Sequence, residues 1–155
     1  MARWRRVLIG VLLSLSMVLG LGAPHTAHAT NYTYDGTDPH VTGCDANTSA
    51  EYTIGVALDG GYNGVGSLSL HYSNICSTAW AYFRCSGGLN GCYDYHIQVY
   101  RTIPDGKKLD GDYYSDLPVG SHIYTDQLND AGSFRTKVCI WSLIGPFNEQ
   151  CTNTF

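Results

Sequence analysis

The sequence predicts an all-β fold, a small antiparallel barrel or sandwich of about six or seven short strands, stabilised by disulfides. Three observations carry this. Apolar residues recur at every second position in several short runs, the period of a strand with one buried face. The chain holds 18 glycines and 12 tyrosines among 155 residues, rich in turn formers and in a strand former. Six cysteines follow an export signal, and thiols outside the cytosol pair into disulfides.

The export signal comes first. Arg3, Arg5 and Arg6 precede an apolar run from Val7 to Gly22, and Ala27-His28-Ala29 has the small-x-small pattern of a signal-peptidase site. Residues 1–29 therefore read as a secretory signal peptide cleaved after Ala29. The apolar run is shorter than the roughly 20 residues that a membrane span needs, and no later run approaches that length. The Arg5-Arg6 pair is followed by Val-Leu-Ile without a further twin-arginine signature, which favours the general secretory route. Without the three leader arginines the formal net charge of −4 becomes −7. An acidic chain without a basic cluster argues against a nucleic-acid partner. The expected setting is secreted and extracellular, with no membrane span after cleavage.

Residues 30–41 are polar and carry Asp38-Pro39. They read as an extended arm that orders by docking on the sheet. Asp45, Asn47, Thr48 and Ser49 suit a short helix or capped turn over 44–50. The arm and turn thus occupy 30–50, ahead of a β domain at 51–155. In 51–58, Tyr52, Ile54, Val56 and Leu58 share one face. The Asp59-to-Gly64 segment is turn punctuation, and 65–72 alternates again, Leu68, Leu70 and Tyr72 against Ser67, Ser69 and His71. The two make a hairpin. A third strand over 78–85 sets Trp80 and Tyr82 against Ala79, Ala81 and Phe83, and a fourth over 92–101 aligns Tyr93, Tyr95, Ile97 and Val99. Residues 102–118 form the longest expected loop. Strands at 121–127, 134–143 and 149–155 complete the set.

Six cysteines allow fifteen connectivities. Cys85 ends one expected strand and Cys92 begins the next, so a bridge there staples a hairpin loop. Cys139 and Cys151 flank Gly145-Pro146, a second hairpin turn. Cys44 and Cys76 remain, in turn-rich segments, and their bridge closes the longest loop. Each closure is worth roughly 3–4 kcal/mol in the chain-entropy model.

Several motifs carry a resemblance. Tyr34-Asp35-Gly36-Thr37-Asp38-Pro39, then Thr42-Gly43-Cys44, then the stretch from Gly66 through Leu70-His71-Tyr72-Ser73, Cys76 and Thr78-Ala79-Trp80-Ala81 resemble the secreted bacterial family known as domain of unknown function 2690. The match runs in order from Tyr34 to about Tyr82. It implies a small, exported, β-rich protein and supports the Cys44–Cys76 pairing, since those cysteines carry the motif. Cys85, Cys92, Cys139 and Cys151 stand outside it. The family brings no catalytic or binding residues. It also implies a bacterial source, where the sequons Asn31-Tyr32-Thr33 and Asn47-Thr48-Ser49 carry no meaning.

Chemistry is sparse. No Gly-x-Ser-x-Gly elbow is present, and Ser67, Ser69 and His71 on one strand face read as its polar side. The chain has two glutamates, Glu51 and Glu149, and Asp35, Asp59, Asp105 and Asp110 each precede glycine, which is turn chemistry. His40, His71, His96 and His122 show no metal-ligand spacing, and bridged cysteines cannot hold zinc. Asp105, Asp110, Asp112 and Asp116 are an acidic cluster that misses the calcium-loop spacing and contains Lys107 and Lys108. No catalytic residue, metal or cofactor is therefore expected. Tyrosines are the remaining feature. Tyr93, Tyr95 and Tyr100 crowd one strand, and Tyr113-Tyr114 in the long loop are candidate ligand-binding aromatics.

The expectation is a non-enzymatic extracellular binding or interaction module, its partner cell-wall glycan or a protein ligand. The alternative is a secreted hydrolase or a hydrolase inhibitor. The first version needs a cleft that gathers His71, His96 or His122 with an aspartate. The second needs a rigid protruding loop, for which Ser86 to Gly91, bracketed by Cys85 and Cys92, is the candidate.

Overall fold

Period-two alternation produces two antiparallel sheets in the computed structural model, which describes residues 32–58, 64–88, 91–110, 117–143 and 149–155. The leader at 1–29, Tyr113, Tyr114, Asp112, Asp116 and the Gly145-Pro146 turn lie outside the described residues. The first sheet joins β1 (Thr48–Ala57), β2 (Val65–Ser73) and β3 (Thr78–Gly87). The far edge of β3 pairs with β6 (His122–Tyr124) and β7 (Leu128–Asn129). The second sheet runs β5 (Lys108–Asp110), β4 (Tyr95–Ile103), β8 (Arg135–Ser142) and β9 (Gln150–Cys151). The two pack as a sandwich rather than a closed barrel.

The core forms between them from the inward phase of each strand. Val56, Leu68, Leu70, Ala79, Ala81 and Phe83 of the first sheet meet Tyr95, Ile97, Val99, Val138 and Ile140 of the second. Phe83 packs on Tyr95 with centroids 5.1 Å apart. Disulfides join Cys44 to Cys76, Cys85 to Cys92 and Cys139 to Cys151. Cys139 and Cys151 face each other across β8 and β9.

Four elements differ from the sequence reading, each for a local reason. The segment read as an extended arm is coiled: turns precede a short helix, α1 (Pro39–Thr42). The Asp38 carboxylate caps its start, accepting from the His40 and Val41 backbone N–H groups. Gly43 ends it at φ 74°, a left-handed turn that glycine adopts without strain, and a 3-10 turn (Cys44–Asn47) follows. The arm does dock on the sheet, through a bridge between Thr37 and Gln127. The strand expected over 121–127 is broken. The Thr125 hydroxyl accepts the Ala81 N–H in place of a carbonyl, while the Gln127 backbone turns to pair with the arm at Gly36 and Thr37.

Strand β4 starts three residues after Cys92. Asp94 sits at φ 49°, and Cys92 instead exchanges backbone hydrogen bonds with Leu117. Inside the loop expected over 102–118, β5 pairs with β4.

Candidate functional site

Two carboxylates buried in the same corner of the sandwich have opposite surroundings. The first belongs to Asp35. Arg101 continues the inward phase of Tyr95, Ile97 and Val99 on β4, and its side chain is fully buried. A guanidinium has five N–H donors, and five acceptors meet it here. Nε donates to Asp105 Oδ1 at 2.8 Å. Nη1 donates to Asp35 Oδ1 and to the Asn129 carbonyl, both at 3.0 Å. Nη2 donates to Asp35 Oδ2 at 2.9 Å and to Asp105 Oδ2 at 2.6 Å. The rings of Tyr32 and Phe134 stand 4.7 and 5.3 Å from the guanidinium carbon, within cation–π range. Asp35 also accepts from Lys107 Nζ at 3.1 Å and from the Asn129 N–H at 2.7 Å. Burial alone would raise the Asp35 pKa, but the hydrogen bonds from Arg101, Asn129 and Lys107 outweigh it and the net shift is downward.

The second carboxylate is Asp130, one residue beyond Asn129. Its backbone is fixed from both sides. Asn129 is held by Asp35 and Arg101, and the Asp130 N–H donates to the Ser77 carbonyl at 2.8 Å. The residue is 5% exposed. Neither carboxylate oxygen has a hydrogen-bond partner among the described residues. Burial pushes its pKa above the ordinary carboxylate value. The Thr136 hydroxyl and the charges of Arg135 and Arg101 pull the other way, more weakly, and Thr136 Oγ1 does not close a hydrogen bond to it.

Asp130 lines a cavity of about 470 Å³ together with Tyr52, Tyr72, Gly132, Phe134, Arg135 and Phe155. Phe155 meets Tyr72 at 4.9 Å and 49°, and Tyr52 at 6.5 Å and 71°. The rings therefore stand as walls at angles to one another, not as a flat platform. Arg135, at the start of β8, is exposed, and its Nη1 donates to the Phe134 carbonyl. A buried carboxylate without partners is costly and calls for an explanation. Its placement in an aromatic cavity makes this the candidate site.

The residues expected from sequence to bear chemistry are dispersed. His71 and His122 stack on either side of Tyr82, at 4.7 and 5.0 Å. His96 lies on the other sheet against Trp141. Ser69 Oγ pairs with Thr53 Oγ1 at 3.0 Å. Asp105 of the acidic cluster is engaged by Arg101. A histidine–aspartate contact joins His40 to Asp45, both partly exposed. Cys139, Glu149 and Cys151 lie close together, but the two sulfurs are bonded to each other and are not thiolate ligands. Of the tyrosines, Tyr95 fills the core, while Tyr100 lies under Lys108 and Lys137 at 4.8 and 5.4 Å. The base of the candidate inhibitor loop is clamped. Cys92 pairs with Leu117, and a side chain at Gly91 would strike the Leu117 carbonyl.

The motifs that carry the resemblance are explained by packing. Asp35 binds Arg101, Asp38 caps α1, and Thr42 accepts from the buried Gln127 side chain at 2.8 Å. Sequence reasoning left Arg101 and Asp130 unremarked. Arg101 had a signal, a charge in the inward phase of an alternating strand. Asp130 had none, since Asn129-Asp130-Ala131-Gly132 reads as an ordinary turn.

Comparison with known proteins gives a consistent answer. A family model described as protein of unknown function (DUF2690) matches residues 32–138. The uncharacterised protein YjfA of Bacillus subtilis (strain 168) is 29% identical over 91 residues, 59% of this chain and 55% of that protein. The chain thus spans about half the length of the curated relative it matches. No solved structure matches.

Proposed function

From the premise that the chain belongs to the family described as protein of unknown function (DUF2690), we propose that it is a secreted, non-enzymatic binding module whose ligand enters the cavity beside Asp130. The observation that carries this reading is Asp130, a residue in the lining of an aromatic-walled space whose buried carboxylate has no partner among the described residues. A polar group kept at such a cost is commonly functional. The volume suits a small ligand or one unit of a polymer.

Three disulfides support an extracellular setting. Among the described residues no helix is long and apolar enough to cross a membrane. The cavity lining supports binding over catalysis. Among the described residues it holds one carboxylate, where glycoside cleavage uses a pair. Among them is no serine, cysteine or histidine to serve as nucleophile or base. Cell-wall glycan and its attached groups, or an extracellular protein, are the partners that this setting offers.

The test is retention of the exported protein on purified cell wall. Wild type is expected to be retained, and Tyr72→Ala and Asp130→Asn to be released at markedly lower salt. If neither wild type nor variants are retained, or if Tyr113→Ala/Tyr114→Ala alone abolishes retention, the cavity is not the site.

A further inference from the structure

Two charges of opposite sign line the cavity, and their positions decide which one a ligand feels. Arg135 is exposed, with Nη1 donating to the Phe134 carbonyl, so solvent screens its charge. Asp130 is 5% exposed, and no donor among the described residues meets its oxygens. Its field therefore acts through low-dielectric protein and is screened far less. Aromatic faces carry negative potential as well. The rings of Tyr52, Tyr72 and Phe155 meet at 49° and 71°, forming a corner around a compact group. A flat sugar face stacks best on an open ring, and this geometry does not present one.

We infer that the cavity binds an organic cation, an ammonium group with apolar substituents, held against the Tyr52, Tyr72 and Phe155 rings and within the field of the buried Asp130 carboxylate. This rests on the reading that the cavity is the ligand site, and it names the chemistry. Positive charge with an apolar coat suits both halves of the lining. An anion of the same shape would meet the Asp130 charge, which Arg135 and Arg101 offset only in part. A neutral molecule of that shape would gain contact with the rings but not the electrostatic attraction.

The experiment uses three probes of similar shape and different charge: tetramethylammonium, neopentanol and trimethylacetate. Each is titrated into the disulfide-bonded protein while the Tyr72 and Phe155 ring resonances are followed by NMR. Tetramethylammonium is expected to bind about tenfold more tightly than neopentanol, with trimethylacetate the weakest, a difference typical of a desolvated cation–π site. Asp130→Asn should narrow the cation's advantage over neopentanol, leaving only the share that the rings supply, and leave neopentanol unchanged. Arg135→Gln should not weaken the cation. If neopentanol or trimethylacetate binds as well as the cation, the charge assignment falls while the cavity stands as a ligand site. If none of the three perturbs these rings, and wild type is also not retained on cell wall, both readings fall. Should Asp130→Asn fail to fold, the ranking of the three probes on wild type decides alone.

Discussion

Asp35 and Asp130 are the same residue type, similarly buried and linked through Asn129, yet one is fully partnered and the other is not. Asp35 accepts from Arg101, Lys107 and a backbone N–H. Asp130 accepts from nothing among the described residues. Phe134 touches both regions, within cation–π range of Arg101 and in the wall of the Asp130 cavity. The difference separates two uses of a buried charge. At Asp35 the charge fastens the N-terminal arm to the second sheet. At Asp130 the charge has no partner among the described residues, and burial disfavours its ionised form.

The largest effect should come from removing that asymmetry at its stable end. Arg101→Met keeps the apolar length of the side chain but takes five hydrogen bonds from the cluster. Asp35 would then be a buried carboxylate left with Lys107 and one backbone N–H, closer to the condition of Asp130. Breaking a buried pair on one side costs about 3–5 kcal/mol, and urea or thermal unfolding would measure it. Asp35→Asn in the same background should recover part of the loss, since the two residues act as a unit. A loss below about 1 kcal/mol would mean that the arm is held by other contacts.

A smaller effect of opposite sign is expected at Asp130. Asp130→Asn removes a buried charge at nearly constant shape and should stabilise the protein by on the order of 1 kcal/mol at neutral pH. The pH dependence follows from the raised pKa. Folding favours the protonated form, so the wild-type penalty is absent below the unfolded carboxylate range, near pH 4, and grows as pH rises through the folded pKa. Asp35 runs the other way, because its pKa is lowered. Its stabilisation is present above that range and fades on acidification. Parallel melts of wild type and Asp130→Asn across pH should therefore converge toward acid and separate toward neutral. Curves that stay parallel would show that the Asp130 carboxyl titrates alike in the folded and unfolded chain, so that burial imposes no penalty on its charge.

Much of the sandwich was legible because alternation reports which face of a strand is buried. Leu68 and Leu70, Ala79, Ala81 and Phe83, and Tyr95, Ile97 and Val99 all lie in the core as their spacing requires. The breaks were not legible, since they arise where side chains take over backbone roles. Thr125 supplies a hydroxyl to Ala81, and Gln127 turns its backbone to the arm. The candidate site was hidden for a related reason. Asp35 lies 66 positions from Arg101, and no local pattern announces that pairing. Asp130 is buried by tertiary packing around a segment whose own residues spell a turn. Tyr52 shares a face with Ile54, Val56 and Leu58, and Tyr72 with Leu68 and Leu70, while their place in a cavity wall depends on Phe155, far along the chain.

The smallest predicted effect tests where the stable region ends. Asp105 shares Arg101 with Asp35, and its hydrogen bond from that guanidinium draws its pKa down to about 2. Taken at face value such a drop would correspond to roughly 2 kcal/mol. Its side chain is 40% exposed, however, where that of Asp35 is 4% exposed. Water screens an exposed partner, so the contribution should fall below about 1 kcal/mol. Asp105→Asn retains one oxygen to accept from Arg101 Nε and loses the charge together with the second oxygen, which accepts from Nη2. The variant should be slightly less stable at neutral pH, with the gap closing as pH falls through about 2, where wild-type Asp105 itself takes up a proton. Raising the salt concentration should shrink the gap further, and should do so more than for Asp35→Asn, whose pair is sealed from solvent. A loss at Asp105 equal to that of Arg101→Met would mean that the guanidinium depends on its exposed partner more than on its buried one, and the contrast between the fastened and unfastened carboxylates would have to be redrawn around Asp105.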